Sequence, residues 1–456
     1  MLAVLANQTY GRLFLAQIIA LLGTGLLTVA LGLLAFNLAG DRAGTVLGTA
    51  LAIKMIAYVT VAPVVGAFAG QLPRKAFLIA MDLVRAAIAL LLPFVSEIWQ
   101  IYVLIFLLQS ASAAFTPTFQ ATIPDVLPDE ADYTKALSLS RLAYDLESLV
   151  SPMLAAALLT LISYHWLFSG TVVGFLVSAA LVLSVTLPAS PAVARSGGIY
   201  DRTTRGLRIY LATPRLRGLL ALNMAAAAGG AMVIVNTVVF VKGRLGLGDG
   251  QVALALACFG GGSMISALAL PRLLERLPDR RVMFTAALFL GGVLMMAAAL
   301  LFAVAGIDVS TSTNAADVAL WPGLLLTWLF LGLGYSAVQT PSGRLLRRSA
   351  HAEDRPAVFA AQFALSHACW LITYPLAGWL GAALPVSLTF GVFALLTFAS
   401  VTIAARVWPS DETGDLAHRH DDLPVDHPHL AGAGGGRHAH AFVIDDLHRQ
   451  WPERVG

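Results

Sequence analysis

Long apolar runs separated by short polar joints fill the chain from residue 12 to residue 407. The first, "LFLAQIIALLGTGLLTVALGLLAF", exceeds the roughly 20 residues that a helix needs to cross hydrocarbon. No small-residue cleavage site follows it, so it reads as a retained span, not a signal peptide. Twelve such runs lie near 12–39, 44–71, 76–95, 99–121, 135–162, 165–187, 215–241, 249–274, 282–305, 319–341, 356–383 and 385–407. A backbone in lipid has to satisfy its own hydrogen bonds, so each run is predicted to be a helix. The expected fold is an all-α membrane protein with twelve transmembrane helices.

The polar joints alternate in charge. Arg74 and Lys75 follow span 2; Arg195, Arg202, Arg205, Arg208, Arg215 and Arg217 follow span 6. Arg276, Arg280 and Arg281 follow span 8, and Arg344, Arg347, Arg348 and Arg355 follow span 10. Joints after odd-numbered spans carry few basic residues. Basic loops stay on the cytoplasmic side, which predicts a bacterial inner-membrane protein with both termini cytoplasmic.

A long joint containing "SPAVARSGG" divides the chain into an N-terminal six-helix bundle (1–187), a linker loop (188–214), a C-terminal six-helix bundle (215–407) and a tail (408–456). The bundles echo one another. "QLPRKAFLIA" after span 2 resembles "RLPDRRVMFTA" after span 8; Thr116-Pro117 recurs as Thr340-Pro341, and Pro152 as Pro375. Two pseudo-symmetric halves are a transporter architecture, which places the transport site near the bilayer midplane between them.

Composition matters mainly for the tail. The chain is 58% hydrophobic and 12% charged, against about 25% charged in soluble domains. Its net charge of +3 hides two unlike parts, because residues 408–456 hold nine Asp/Glu and only four Arg. That tail also holds seven of the ten histidines: His418, His420, His427, His429, His438, His440 and His448. Imidazole beside Asp oxygen suits Ni²⁺, Co²⁺, Zn²⁺ and Cu²⁺. His418/His420, His427/His429 and His438/His440 are H-x-H pairs, and residues two apart on an extended chain project to one side, so each pair can chelate. A disordered, merely soluble tail is the alternative. "FVIDDLHRQW" places Val443, Leu447 and Trp451 on one face of a short helix able to dock on the cytoplasmic loops; a frayed end is its alternative. The two cysteines, Cys258 and Cys369, both lie in apolar runs, which excludes a disulfide scaffold or a Cys-based zinc module.

Ionisable residues inside spans are costly and mark functional sites by default. Lys54 lies near the middle of span 2, Asp145 and Glu147 near the middle of span 5, and His367 in span 11. Arg141 sits one turn before Asp145 and offers it an ion pair, the purely structural reading of that residue. Asp145 and Glu147 point to opposite sides of their helix. No Walker A loop, Rossmann glycine pattern or nucleophile elbow occurs, so no enzyme activity, bound cofactor or nucleic-acid partner is expected, and transport has to draw on an ion gradient.

Residues 1–407 resemble the major facilitator superfamily. Its loop signature after span 2, Gly-x-x-x-Asp-Arg-x-Gly-Arg-Arg, appears as "GAFAGQLPRK", in which Gly66, Arg74 and Lys75 match while Gly70 replaces the aspartate and Pro73 the second glycine. In the family that aspartate helps to hold one conformation across the domain interface. The resemblance implies that nearby Asp82 and Arg85 take over that role. The stretch from Phe115 to Ala156 resembles the subgroup of the enterobactin exporter, with Ser151-Pro152 where antiporters carry Gly-Pro. The body together with its His-rich tail is similar to the bacterial nickel-resistance exporters. The resemblance implies that helices 2, 5, 8 and 11 line the contact between halves, so that Lys54, Asp145, Glu147 and His367 face one cavity. It also implies proton antiport. The expected function is efflux of a divalent metal, nickel or cobalt first. Export of a drug or siderophore with a metal-sensing tail is the second reading, and a membrane-anchored metal receptor the third.

Overall fold

In the computed structural model the described residues are 2–39, 43–69, 72–188, 199–305, 313–410, 415–419, 429 and 437–452. They form fourteen α-helices and a two-stranded hairpin. The N-terminal half comprises α1 (Gln8–Ala39), α2 (Ala43–Ala69), α3 (Arg74–Leu91), α4 (Ile98–Val126), α5 (Glu130–Leu159) and α6 (His165–Leu183). A seventh helix, α7 (Ile199–Ala212), lies in the linker. The C-terminal half comprises α8 (Pro214–Val238), α9 (Asp249–Arg276), α10 (Asp279–Ala305), α11 (Thr313–Gln339), the short α12 (Ser342–Arg348), α13 (Arg355–Ala383) and α14 (Val386–Val407).

The linker, expected to be a loop, is therefore partly helical, and α7 packs against both α2 and α13. Its sequence, "IYDRTTRGLRIYLA", explains this: Ile209 and Tyr210 are buried while Tyr200 and Leu211 remain exposed, as on a helix lying along a surface. Gly206 allows the contact, since a Cβ there would fall 2.1 Å from the carbonyl oxygen of Ala357 in the first turn of α13.

Twelve long helices build the bundle, and eleven of them are long and apolar enough to cross a membrane. The exception is α5, 30 residues long, which carries Glu130, Asp132, Lys135, Arg141, Asp145 and Glu147. Asp129 caps its N-terminus by accepting from the Asp132 backbone N–H at 2.9 Å, and Glu130 and Asp132 in the first turn favour the positive end of the helix dipole. This helix is long enough to span and is charged because it packs against α1 on one side and against α9 of the other half on the opposite side.

Within the N-terminal half α1 packs on α6, α2 on α4, and α3 between α4 and α6. Within the C-terminal half α9 packs on α11, α10 on α14, and α8 against α13 and α14. The halves meet along α2–α13, α4–α13 and α5–α9. The α9–α11 crossing depends on Gly332, where a Cβ would sit 1.9 Å from the carbonyl oxygen of Phe259. Gly332→Ala is expected to push the two helices apart and to cost about 1–3 kcal/mol, read as a lowered midpoint of thermal unfolding in detergent.

Candidate functional site

The loops α2–α3, α4–α5, α6–α8, α9–α10 and α11–α13 share one face, here named the basic face. Its charges are paired. Arg74, at the start of α3, meets Asp125 at the end of α4. At the matching place in the other half, Asp279 at the start of α10 meets Arg344 and Arg348 in α12, at 3.0 and 2.9 Å. The positions correspond, and the signs are inverted. Each acidic-basic unit then reaches across to the other half. Arg355 of α13 bonds Asp125 at 2.5 Å, while Glu130 of α5 receives Arg344 at 2.9 Å and also Arg348. Arg344 further donates to Thr134 of α5 at 2.8 Å, and Arg347 to the Pro128 carbonyl. Among the described residues the ion pairs between the halves all lie on this face, so the bundle is closed there.

Asp82 and Arg85 do not serve as this latch, contrary to the expectation from the degenerate loop signature. They pair with each other inside the N-terminal half, where Ser178 of α6 donates to Asp82 at 2.8 Å. The Arg85 guanidinium lies over the Phe115 and Phe175 rings, 4.1 and 4.4 Å from their centroids. With Asp82 0% exposed, the pair holds α3 to α4 and α6 and forms no ion pair with the other half. The interface residues are Asp125, Glu130, Asp279, Arg344, Arg348 and Arg355. The basic members stood out in the sequence as orientation markers. Their acidic partners carried only the signal of lying at helix ends bordering basic loops.

Between the halves, the predicted residues divide into two groups. His367 on α13 is boxed by Phe363 of its own helix and by Tyr58 of α2, at ring separations of 4.2 and 4.7 Å. Its Nδ1 lies 2.7 Å from the Phe363 carbonyl oxygen, to which an Nδ1–H donates, leaving Nε2 for other partners. Lys54 lies one turn before Tyr58, its Nζ 5.6 Å from the centre of that ring. The Tyr58 hydroxyl donates to Gln109 of α4 at 2.8 Å.

The second group is on α5. Arg141 and Asp145 pair at 2.6 Å, and Arg141 also reaches the other half, donating from Nε to Ser263 of α9 at 3.1 Å and lying 4.7 Å from the Tyr335 ring centre on α11. Glu147 points the other way, toward α1: a Cβ on Gly25 would meet its Oε1 at 2.8 Å. Lys54 and Glu147 nevertheless act on one another electrostatically. Of the four residues expected in one cavity, Lys54 and His367 thus share one side, Asp145 is paired with Arg141 on another, and Glu147 faces α1. An aromatic belt of Phe259, Tyr335, Trp370 and Tyr374 runs through the C-terminal half and meets the other half where Tyr335 lies against Arg141.

The tail is the third region. Residues Asp415–Arg419 (β1) and Arg437–Ala441 (β2) form an antiparallel hairpin in which His418 stands opposite His438. The segment 442–452 follows without helix, so the short helix expected over "FVIDDLHRQW" is not formed. Instead of a single stripe, Phe442 and Ile444 are both buried, and Trp451 packs with the C-terminal core. Trp451 also lies 5.8 Å from the Arg215 guanidinium and 5.1 Å from the Phe442 ring. The tail docks on the basic face through charges too: Asp446 takes Arg205 of α7 at 2.6 Å, and Arg205 at the same time takes Asp354 beside α13 at 2.6 Å. Asp445 bonds the His351 Nε2 at 3.4 Å and the His448 Nδ1 at 2.9 Å. Burial works to raise the Asp445 carboxyl, but bonds from His351 and from the His448 side chain and backbone outweigh it and hold the group well below the usual carboxylate range. The same bond to Asp445 raises His351 above the ordinary imidazole value.

Each of His429, His440 and His448 offers a ligand nitrogen within 4.8 Å of the others. The side chains of His418, His420, His427 and His438 lie outside the described residues, and with them the H-x-H chelates expected from the sequence. The described trio comes from three separate stretches of chain.

Two helical halves, related by pseudo-symmetry and meeting across buried charges, define a membrane transporter. The family model of the Major Facilitator Superfamily matches residues 13–311 and 219–423, and the chain belongs to that superfamily. It is 25% identical over 379 residues to the uncharacterized MFS-type transporter YvqJ of Bacillus subtilis (strain 168), covering 79% of this chain and 83% of that one. Over 152 residues it is 26% identical to macrolide efflux protein A of Enterococcus faecalis, covering 31% of this chain and 47% of the relative. In fold it is similar to the human organic anion transporter MFSD10 (TM-score 0.70, 13% identity, 87% and 99% covered). A bacterial homologue of the iron transporter ferroportin, in an outward-facing state with soaked iron, is also similar (TM-score 0.64, 15% identity, 87% and 98% covered). These two likenesses are of fold alone.

Asp125→Asn removes the negative charge shared by Arg74 and Arg355 and replaces one of the two oxygens they use with a donor. It is expected to weaken closure of the basic face by about 2 kcal/mol. With Cys258 and Cys369 replaced by Ser and spin labels at exposed Ala76 and Arg281, electron–electron distance measurements should show a longer population that the parent lacks.

Proposed function

We propose that this chain exports a divalent metal ion, nickel or cobalt first, from the cytoplasm of a bacterium in exchange for protons. The observation that carries the reading is the cluster of His429, His440 and His448 docked on the basic face. Neutral imidazoles without thiol or thioether partners suit borderline divalent ions and disfavour Cu⁺. The basic face is the one that the distribution of Arg assigns to the cytoplasm. A metal-binding tail there raises the local concentration of cargo at the mouth from which an exporter loads.

Within the bundle, Glu147 and Lys54 are opposite charges able to respond to an arriving cation. A divalent ion near Glu147 favours its ionised form and is repelled by Lys54; departure of the ion lets the carboxylate take a proton. Competition of proton and metal for one carboxylate is the least that antiport requires. Asp145 is already committed to Arg141, so Glu147 is the favoured coupling group, with His367 on the cation path.

A second reading is export of an organic compound, favoured by the aromatic belt and by the absence, among the described residues, of a three-ligand cluster inside the bundle. The macrolide efflux relative points the same way.

In proteoliposomes with an imposed pH gradient, wild type should move Ni²⁺ or Co²⁺, and Glu147→Gln should lose gradient-driven movement while still incorporating normally. Asp145→Asn should show instead as low yield, because it strands the Arg141 charge. Movement of a fluorescent organic cation but not of metal would select the second reading. In cells, deleting residues 411–456 should lower nickel tolerance without abolishing it at matched expression; unchanged tolerance would remove the tail from the transport cycle.

A further inference from the structure

The three imidazoles face one another as a near-equilateral triangle, with ring centroids 4.9, 5.0 and 5.1 Å apart. Imidazole nitrogens bind such metals at about 2.0–2.1 Å, which puts two of them about 3.3 Å apart on one ion. His429 Nε2 and His440 Nε2 are 3.4 Å apart. His448 is oriented by its Nδ1–H donating to Asp445; a carboxylate behind a ligating imidazole is the usual outer support of a metal site. One nitrogen from each of the three rings lies within reach of a common centre.

What stands behind the site gives it consequence. Asp445 reaches His351, and the neighbouring Asp446 shares Arg205 with Asp354. Asp354 is 1% exposed and directly precedes Arg355, the residue that crosses to Asp125 of the other half. Arg205 adjoins Gly206, where α7 touches the α13 backbone, and α7 also rests on α2 of the N-terminal half. The docked tail therefore connects through Arg205 and Asp354 to Arg355, one of the residues that close the basic face.

We propose that His429, His440 and His448 bind one divalent ion of the Ni²⁺/Zn²⁺ class, and that this ion acts as a latch. It fixes the segment 442–452 against α7 and the start of α13, and so favours the bundle closed on the basic face. A ligand that binds only the docked tail shifts the closed–open equilibrium by its differential affinity for the two states. The inference rests on the metal-binding part of the proposed function and is independent of which solute crosses the membrane.

The test uses the full-length protein with spin labels at Ala76 and Arg281, both cysteines replaced by Ser, and Zn²⁺ as a diamagnetic probe. Zn²⁺ should raise the short-distance population of the parent severalfold. His440→Ala with His448→Ala should remove one high-affinity Zn²⁺ equivalent, counted by titration, and the shift with it. Asp446→Ala with Trp451→Ala, which frees the tail but keeps the three histidines, should still bind that equivalent and yet lose most of the shift. An unresponsive parent overturns the latch, and so does a full shift in either double variant. Loss of metal transport with an intact shift would count against the proposed cargo and leave the latch standing; metal transport with no shift would do the reverse.

Discussion

The closed state depends on a charge pattern that is symmetric in position and antisymmetric in sign. One half offers Arg74 with Asp125, the other Asp279 with Arg344 and Arg348, and each unit receives a further partner from across the interface, Arg355 and Glu130 respectively. Two halves with identical charges at equivalent places would repel where they meet. Inverting one of them turns the pseudo-twofold relation into complementarity. Arg344 and Asp279 are buried, so water screens that pair weakly, and Arg344 and Arg348 each serve acids on both halves. Such shared acceptors make closure cooperative: losing one carboxylate releases two arginines.

The same economy of charge explains α5. It is the least apolar of the long helices because it serves three surfaces at once: Glu130 at the basic face, Arg141 with Asp145 against α9 and α11, and Glu147 toward α1. A helix facing lipid tolerates few such groups, whereas one enclosed between two halves can keep them if each finds a partner. Glu147, the carboxylate proposed for coupling, and the closure of the basic face thus share one rigid element. The aromatic box around His367 belongs to α2 and α13, a contact that the closed state also holds together.

The tail adds a third layer. Its hairpin and docked end are held by a mixture of burial (Phe442, Ile444, Trp451) and ion pairs (Asp446 with Arg205, Asp445 with His351), and neither kind of contact is available to an isolated peptide. Three histidines separated by up to 19 positions in the chain converge at one place, and His448 is held there by Asp445 of its own segment.

Hydrophobic run length and the placement of Arg were enough to derive the helices, the two halves and the presence of costly charges inside them, because hydrocarbon thickness and unsatisfied backbone groups impose a coarse and strong constraint. The His and Asp content that makes the tail a candidate for metal was likewise legible, since it depends on residue type. The partners were not. Asp82 and Arg85 read as an interface latch but lie buried inside one half, and the helix expected after His440 yields to an irregular docked segment. Asp125, Glu130 and Asp279, unremarked in the chain, turn out to close the basic face. Spacing along one helix decides which side a residue takes, but only the packing of helices distant in sequence decides what stands opposite, and for a charge in low dielectric the group opposite settles its role.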